Sequence, residues 1–208
     1  MRLSTAFLLF VFSGISAFSV AGQATTEPAA AQTETLHRLQ SIELSGKISG
    51  SFDHFGIDLK NKRLFAAAEN YHAVLVVDLD TGKVIHEISV AKPHAVLYRD
   101  DLDRIYVTDG EDGALKIFDG KTYALRQRIA LNTDTDSIGY DPVYGLLYVV
   151  SGGKDAKQQF STLSVIDVSA EKKLADIQID GETLEAMALD TFRPRLYINN
   201  AAKNEIDV

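Results

Sequence analysis

Ile105-Tyr106-Val107-Thr108-Asp109, followed by Gly113-Ala114-Leu115-Lys116-Ile117-Phe118-Asp119-Gly120, is the clearest copy of a unit that repeats along this chain. Its opening aliphatic-aromatic step recurs as Leu64-Phe65, Leu147-Tyr148 and Leu196-Tyr197, about every 41 residues. An apolar-Asp pair closes the stretch, with the Asp thirteen residues after the aromatic, and Val77-Asp78 stands at the same interval after Phe65. After Tyr148 the equivalent pair, Ile166-Asp167, comes nineteen residues on, because a polar insertion intervenes. Self-similarity at this period means stacked or radial units.

Inside each unit the periodicity is two. Val74, Leu115 and Leu163 occupy one register, and Val76, Ile117 and Val165 sit two residues on, facing the same side. Between them the residue varies as Leu75, Lys116 and Ser164, which predicts a strand with one committed face. Turn residues separate the strands: Lys60-Asn61-Lys62, Asp80-Thr81-Gly82, Asp109-Gly110, Asp112-Gly113 and Asp119-Gly120. No segment after the amino-terminal run carries a helical stripe. Each unit therefore reads as four short antiparallel strands, A to D from the axis outward, and the fold class is all-β, a β-propeller.

The A strands are expected near His54–Leu59, His94–Tyr98, Asp136–Tyr140 and Glu185–Leu189. Strand B carries the aromatic step and strand C the apolar-Asp pair. Strand D is expected near Lys83–Ser89, Tyr123–Ala130 and Lys172–Ile179. Leu36–Ser45 precedes the first A strand as a D strand precedes the later ones, and is expected to close the ring as the outer strand of the last blade. Three complete blades and a partial fourth result. Ile206-Asp207-Val208 matches only the first half of a C strand, so a truncated sequence is expected, with a complete form of seven blades. A four-bladed ring is the alternative.

Ile105-Tyr106-Val107-Thr108-Asp109 with Gly113–Asp119 resembles the YVTN-type repeat of bacterial exported β-propellers, the YncE-like group. Asp78-Leu79-Asp80-Thr81-Gly82-Lys83-Val84 is similar to the turn that ends that repeat. The resemblance runs from about residue 36 to the end and implies a fold rather than an activity. The other units read Phe-Ala-Ala, Tyr-Val-Val and Tyr-Ile-Asn, and the lack of any Trp excludes the WD-repeat signature.

The amino terminus agrees with export. Met1-Arg2-Leu3 and the apolar run Ala6 to Val20 form a signal-peptide pattern, with cleavage expected after Ala21 or Ala24. The run is shorter than a membrane span and Ser13, Gly14 and Ser16 interrupt it. Residues 1–24 are thus read as a signal peptide, 25–35 as a flexible linker and 36–208 as propeller repeats, in a periplasmic or secreted protein. With no cysteine, neither a disulfide framework nor a lipobox exists. A net charge of −8 argues against nucleic-acid binding, and no later segment is apolar enough to insert in a membrane.

Counting back from the aromatic of each B strand places His54, His94, Asp136 and Glu185 at one equivalent position. On A strands these four would line one mouth of the channel. Two imidazoles and two carboxylates are ligand types for a divalent metal and are also acid/base groups, although wet channel walls carry polar residues without any such role. Other candidates fail on pattern. Asp134–Gly139 lacks the oxygen ligands of a calcium loop, Ser151-Gly152-Gly153-Lys154 lacks P-loop spacing, and no nucleophile elbow supports a Ser137–His94 pair. The insertion Gly152–Ser161 is a long polar B–C loop of the kind that carries recognition or simply stays solvated. The expected function is a non-catalytic binding or scaffold propeller engaging a protein, peptide or small ligand at a channel mouth. The alternative is a metal-dependent hydrolase resembling the lactonase and gluconolactonase propellers.

Overall fold

Fifteen strands lie in four antiparallel sheets in the computed structural model, which describes residues 38–208. The expected signal peptide and linker lie outside the described residues. Blade 1 contains β1 (Phe55–Asp58), β2 (Arg63–Ala68), β3 (Ala73–Asp78) and β4 (Lys83–Ser89). Blade 2 contains β5 (Pro93–Arg99), β6 (Arg104–Asp109), β7 (Ala114–Asp119) and β8 (Leu125–Ala130). Blade 3 contains β9 (Ile138–Asp141), β10 (Leu146–Gly152), β11 (Phe160–Asp167) and β12 (Lys172–Asp180). Blade 4 contains β13 (Leu184–Asp190), β14 (Arg195–Asn200) and β15 (Glu205–Asp207). Each sheet is a meander in chain order. Among the described residues the one helical piece is a 3₁₀ turn, Glu69–Tyr71.

The repeated residues fix the register. Phe65 pairs with Val76, Tyr106 with Ile117 and Tyr148 with Val165, the same cross-strand couple in three blades. The Asp of each apolar-Asp pair organises the next turn. Asp78 accepts from the Thr81 N–H, Asp119 from those of Lys121 and Thr122, and Asp167 from those of Ser169 and Ala170. Asp58, Asp141 and Asp190 do the same between the A and B strands. Such side-chain-to-backbone bonds mimic a backbone turn, so the motif Asp is a folding residue rather than a ligand.

The core lies between blades. Phe65, Val74, Val76 and Ile88 pack on Val96, Ile105, Val107 and Phe118 of blade 2. Tyr106, Leu115 and Ile117 pack on Leu147, Val149 and Ile166 of blade 3. Val150 and Leu163 meet Leu184 and Ile198 of blade 4. The one-faced strand expected from the alternation is therefore incorrect in blades 1 to 3: Leu75 is fully buried and Ser164 1% exposed, because their C strands are covered on both sides, whereas β15 of blade 4 is largely exposed.

The expected outer strand Leu36–Ser45 is likewise corrected. Residues 38–45 form no strand and pair with no sheet. Ile42, Leu44, Ile48 and Phe52 instead lie across the outward face of blade 1, over Ala66, Leu75 and Val77. These four apolar side chains have found the one face of blade 1 that blade 2 does not cover.

Arg63 stitches blades 1 and 2. Its Nε and Nη2 donate to Asp58 Oδ2 at 2.9 and 2.6 Å, and Nη1 donates to the Gly120 carbonyl at 2.6 Å and to Tyr123 Oη at 3.0 Å. The guanidinium also lies over the rings of Phe65, Tyr98 and Tyr123. Asp58 is 1% exposed, so removing Arg63 strands a buried carboxylate. Arg63→Ala is expected to lower the unfolding free energy by about 3–5 kcal/mol. Urea denaturation of Arg63→Ala, Asp58→Ala and the double variant checks this: strict additivity would contradict a coupled pair.

Candidate functional site

The connections from each D strand to the next A strand meet at one end of the blades, and in blades 2 and 4 the last residue of strand B holds their geometry. In blade 2 that residue is Asp109, fully buried, which accepts from the Ala91, Lys92 and Asp112 N–H groups and from Lys116 Nζ at 2.7 Å. Burial alone would raise its pKa. The Lys116 ammonium and the N–H donors outweigh that and hold it below the usual carboxylate range. In blade 4 Asn200 stands in the same place and donates to the Asp180 carbonyl at 2.9 Å. These clamps fix where the A strands start.

His94 follows directly. A register shift between Pro93 and Val96 lets the Thr108 hydroxyl accept from the Ala95 N–H at 2.7 Å, and such a bulge re-aims the neighbouring side chain. His94 is 8% exposed, and its Nδ1 lies 2.8 Å from Asp53 Oδ2. Its ring also rests against Gly110, where an added Cβ would come within 2.6 Å of Nε2. That nitrogen is buried and without a hydrogen-bond partner.

Asp136, two residues before β9, completes the cluster. Ligand atoms of Asp53, His94 and Asp136 all lie within 4.8 Å of one another. Asp136 Oδ1 is buried with no hydrogen-bond partner. Burial pushes its carboxyl up and the Asp53 and Glu185 charges add to this, with His94 and His54 opposing, so that the pKa reaches about 6.

The cluster opens into a cavity of about 340 Å³. Its rim carries Glu69, Asp134, Asp155, Glu182 and Glu185, against two lysines, Lys92 and Lys154, so the cavity favours cations. Lys92 is itself paired with Glu69 at 3.6 Å. The insertion supplies Lys154 and Asp155, because the Lys154 N–H donates to the Glu182 carbonyl at 2.8 Å and docks the loop on blade 4. Gly153, at φ +83°, allows this, since a Cβ would meet the Glu182 carbonyl oxygen at 2.4 Å.

Of the four residues aligned from the sequence, the structure brings His94 and Asp136 together. Glu185 is exposed at the cavity rim, and its carbonyl accepts from the Ser137 hydroxyl, which occupies that hydroxyl with a structural bond. His54 is half-exposed outside the cavity lining, with Nδ1 2.6 Å from Asp53 Oδ1. The residue that joins His94 is Asp53. It stands twelve residues before Phe65, the interval that separates His94 from Tyr106, Asp136 from Tyr148 and Glu185 from Tyr197, whereas His54 stands eleven before. A strict count was the signal that would have found it.

No family model matches the chain. Over 111 residues, 53% of the chain, it is 28% identical to the uncharacterized protein YncE of Salmonella typhi and 27% to that of Salmonella typhimurium strain LT2. The match spans 31% of the length of those relatives. Among solved structures, the computationally designed Ika4 protein superposes with a TM-score of 0.63 at 13% identity, covering 81% of this chain and 96% of that one. The WD40 β-propeller domain of Doa1 gives 0.60 at 14% identity, covering 75% and 49%. A nidogen/laminin complex gives 0.60 at 15%, covering 74% and 59%. The fold is a β-propeller, similar in sequence to YncE over half the chain.

The elevated pKa of Asp136 has a definite sign for stability. Between pH 4 and 6 the folded chain keeps a proton that the unfolded chain has released, so the contribution of this group is present at low pH and is lost as pH rises through about 6. Asp136→Asn, permanently uncharged, is expected to gain stability relative to wild type across that window, by up to about 3 kcal/mol at pH 7. Chemical denaturation of both proteins in EDTA at pH 4, 5, 6 and 7 measures it, and a difference that does not change with pH would refute the assignment.

Proposed function

We propose that this chain is an exported β-propeller that binds a ligand or partner through a cationic group at the acidic mouth of its channel, as a binding or scaffold protein rather than a catalyst. One observation carries the reading: a cavity open at its rim, ringed by carboxylates, has at its base a desolvated Asp136 oxygen with no hydrogen-bond partner. Unmet buried acceptors are costly, by about 1–3 kcal/mol each, and a bound donor or cation relieves the cost. The signal-peptide pattern at Met1–Ala24 supports a periplasmic or secreted location. A protein, a peptide or a small molecule can present the cationic group.

A second reading, metal-dependent hydrolysis of the lactonase kind, draws on the three converging side chains Asp53, His94 and Asp136. Turnover of gluconolactone in the presence of added divalent cations would favour it over simple binding.

The binding reading is tested by fluorescence anisotropy with labelled tetra-lysine and tetra-glutamate peptides on the metal-free chain. Tetra-lysine is expected to bind, tetra-glutamate not, and Asp155→Lys with Glu182→Lys to weaken the lysine peptide at least tenfold. Equal binding by wild type and this rim variant would discard the mouth as the recognition surface.

A further inference from the structure

We propose that Asp53, His94 and Asp136 form a site for one divalent transition cation, zinc foremost, at the base of the acidic cavity; the proposal rests on the reading of that cavity as a binding mouth and names its inorganic ligand. Convergence comes from the repeat itself. The three residues hold the same place, twelve before the strand-B aromatic, in three successive blades, and rotation about a common axis turns equal sequence position into spatial proximity. Their ligand atoms lie within 4.8 Å of one another. A cation with bonds of about 2.0–2.2 Å needs its ligand atoms roughly 3–4 Å apart, so rotamer-scale movement closes the shell.

Two further observations separate this cluster from an ordinary acidic surface. Asp136 Oδ1 is buried and unbonded, and His94, 8% exposed, presents Nδ1 to the cluster, 2.8 Å from Asp53 Oδ2. The ring cannot turn outward freely, because Gly110 holds one edge and Asp53 the other. The donor set is one imidazole and two carboxylates. This mixed nitrogen-oxygen set suits zinc or manganese better than calcium or magnesium, which take oxygen shells. Two carboxylates also balance the double charge of the ion.

His54 then has a role as a positioning residue. Its Nδ1 lies 2.6 Å from Asp53 Oδ1, so it orients the carboxylate whose other oxygen faces His94, as partners behind a metal ligand commonly do. Glu185 stays at the rim, where it adds negative potential without entering the shell.

The test is zinc titration of the EDTA-stripped full chain against a chromophoric chelator, with cobalt(II) absorption as a second readout. One zinc per chain is expected. Asp53→Asn and Asp136→Asn, close in shape to wild type, are each expected to weaken zinc at least tenfold and to change the visible cobalt bands, His54→Gln to weaken zinc more modestly, and Glu185→Gln to leave both readouts in place. Zinc binding unaltered in Asp53→Asn and Asp136→Asn would overturn the proposal. So would several weak sites lost in proportion to rim charge, as in Glu185→Gln or Asp155→Asn. Tetra-lysine binding by the metal-free chain keeps the outcomes apart: if it persists while zinc fails, the metal site is wrong and the mouth stands; if zinc binds and the peptide does not, the partner reading falls.

Discussion

Blades 1 to 3 of this chain are apolar on both faces, and the need to bury two faces at once governs how they pack. A sheet of four short strands gains little stability alone, because half of its apolar surface stays in water. Adjacent blades supply the missing cover, as Phe65 and Val76 find Ile105 and Val107, and Tyr106 and Ile117 find Leu147 and Val149. The same demand explains the segment before β1. Blade 1 has no blade over Ala66, Leu75 and Val77, and Ile42, Leu44, Ile48 and Phe52 take that place without forming a strand. Burial of these side chains lays the segment across blade 1, and the Ser51 bonds to Glu69 and Asn70 anchor its end.

Radial packing has a chemical consequence at the axis. Side chains at the start of the A strands are brought together whether or not they suit one another, and each carries its backbone and side-chain polarity into a crowded space. The fold meets the backbone need with local clamps, Asp109 in blade 2 and Asn200 in blade 4. Alanine and serine, Ala68 and Ser151, occupy the equivalent places in blades 1 and 3. It leaves the side-chain need unmet at Asp136, whose burial in turn raises its proton affinity. A stability-driven sequence would place an apolar or paired residue there, since surrounding packing tolerates hydrophobic replacements well.

The repeat was legible in the sequence because packing positions announce themselves by type. The strand D expectation Lys83–Ser89 matches β4 residue for residue, and Leu125–Ala130 and Lys172–Asp180 fall close to their expected spans. Two-sided burial was misread at Lys116 and Ser164, where a polar residue suggested solvent. Lys116 reaches Asp109 at 2.7 Å and Ser164 reaches Asp176 at 2.6 Å, and a sequence displays polarity without displaying the partner that neutralises it. Asp53 was missed for a narrower reason. Asp53 and His54 are adjacent and both are ligand types, so one residue of slack in the interval was enough to choose the wrong one.

The contrast between positions within the repeat bears on function. Where a residue serves packing, the blades agree: Phe65, Tyr106, Tyr148 and Tyr197 are aromatic, and Val76, Ile117 and Val165 are β-branched. Where it faces the mouth, they differ: Asp53, His94, Asp136 and Glu185 share polarity but not identity. Rotational repetition alone would give four like residues, and four like carboxylates at close quarters would repel. Placing one imidazole between two carboxylates offsets part of that repulsion, as His94 opposes the Asp53 charge at Asp136, while keeping the donors convergent. The insertion after β10 breaks the repeat on the same side of the molecule, and Gly153 and Lys154 dock it against Glu182 so that Asp155 joins the rim. Departures from repetition thus gather at one end of the blades, where packing demands least and chemistry can differ from blade to blade.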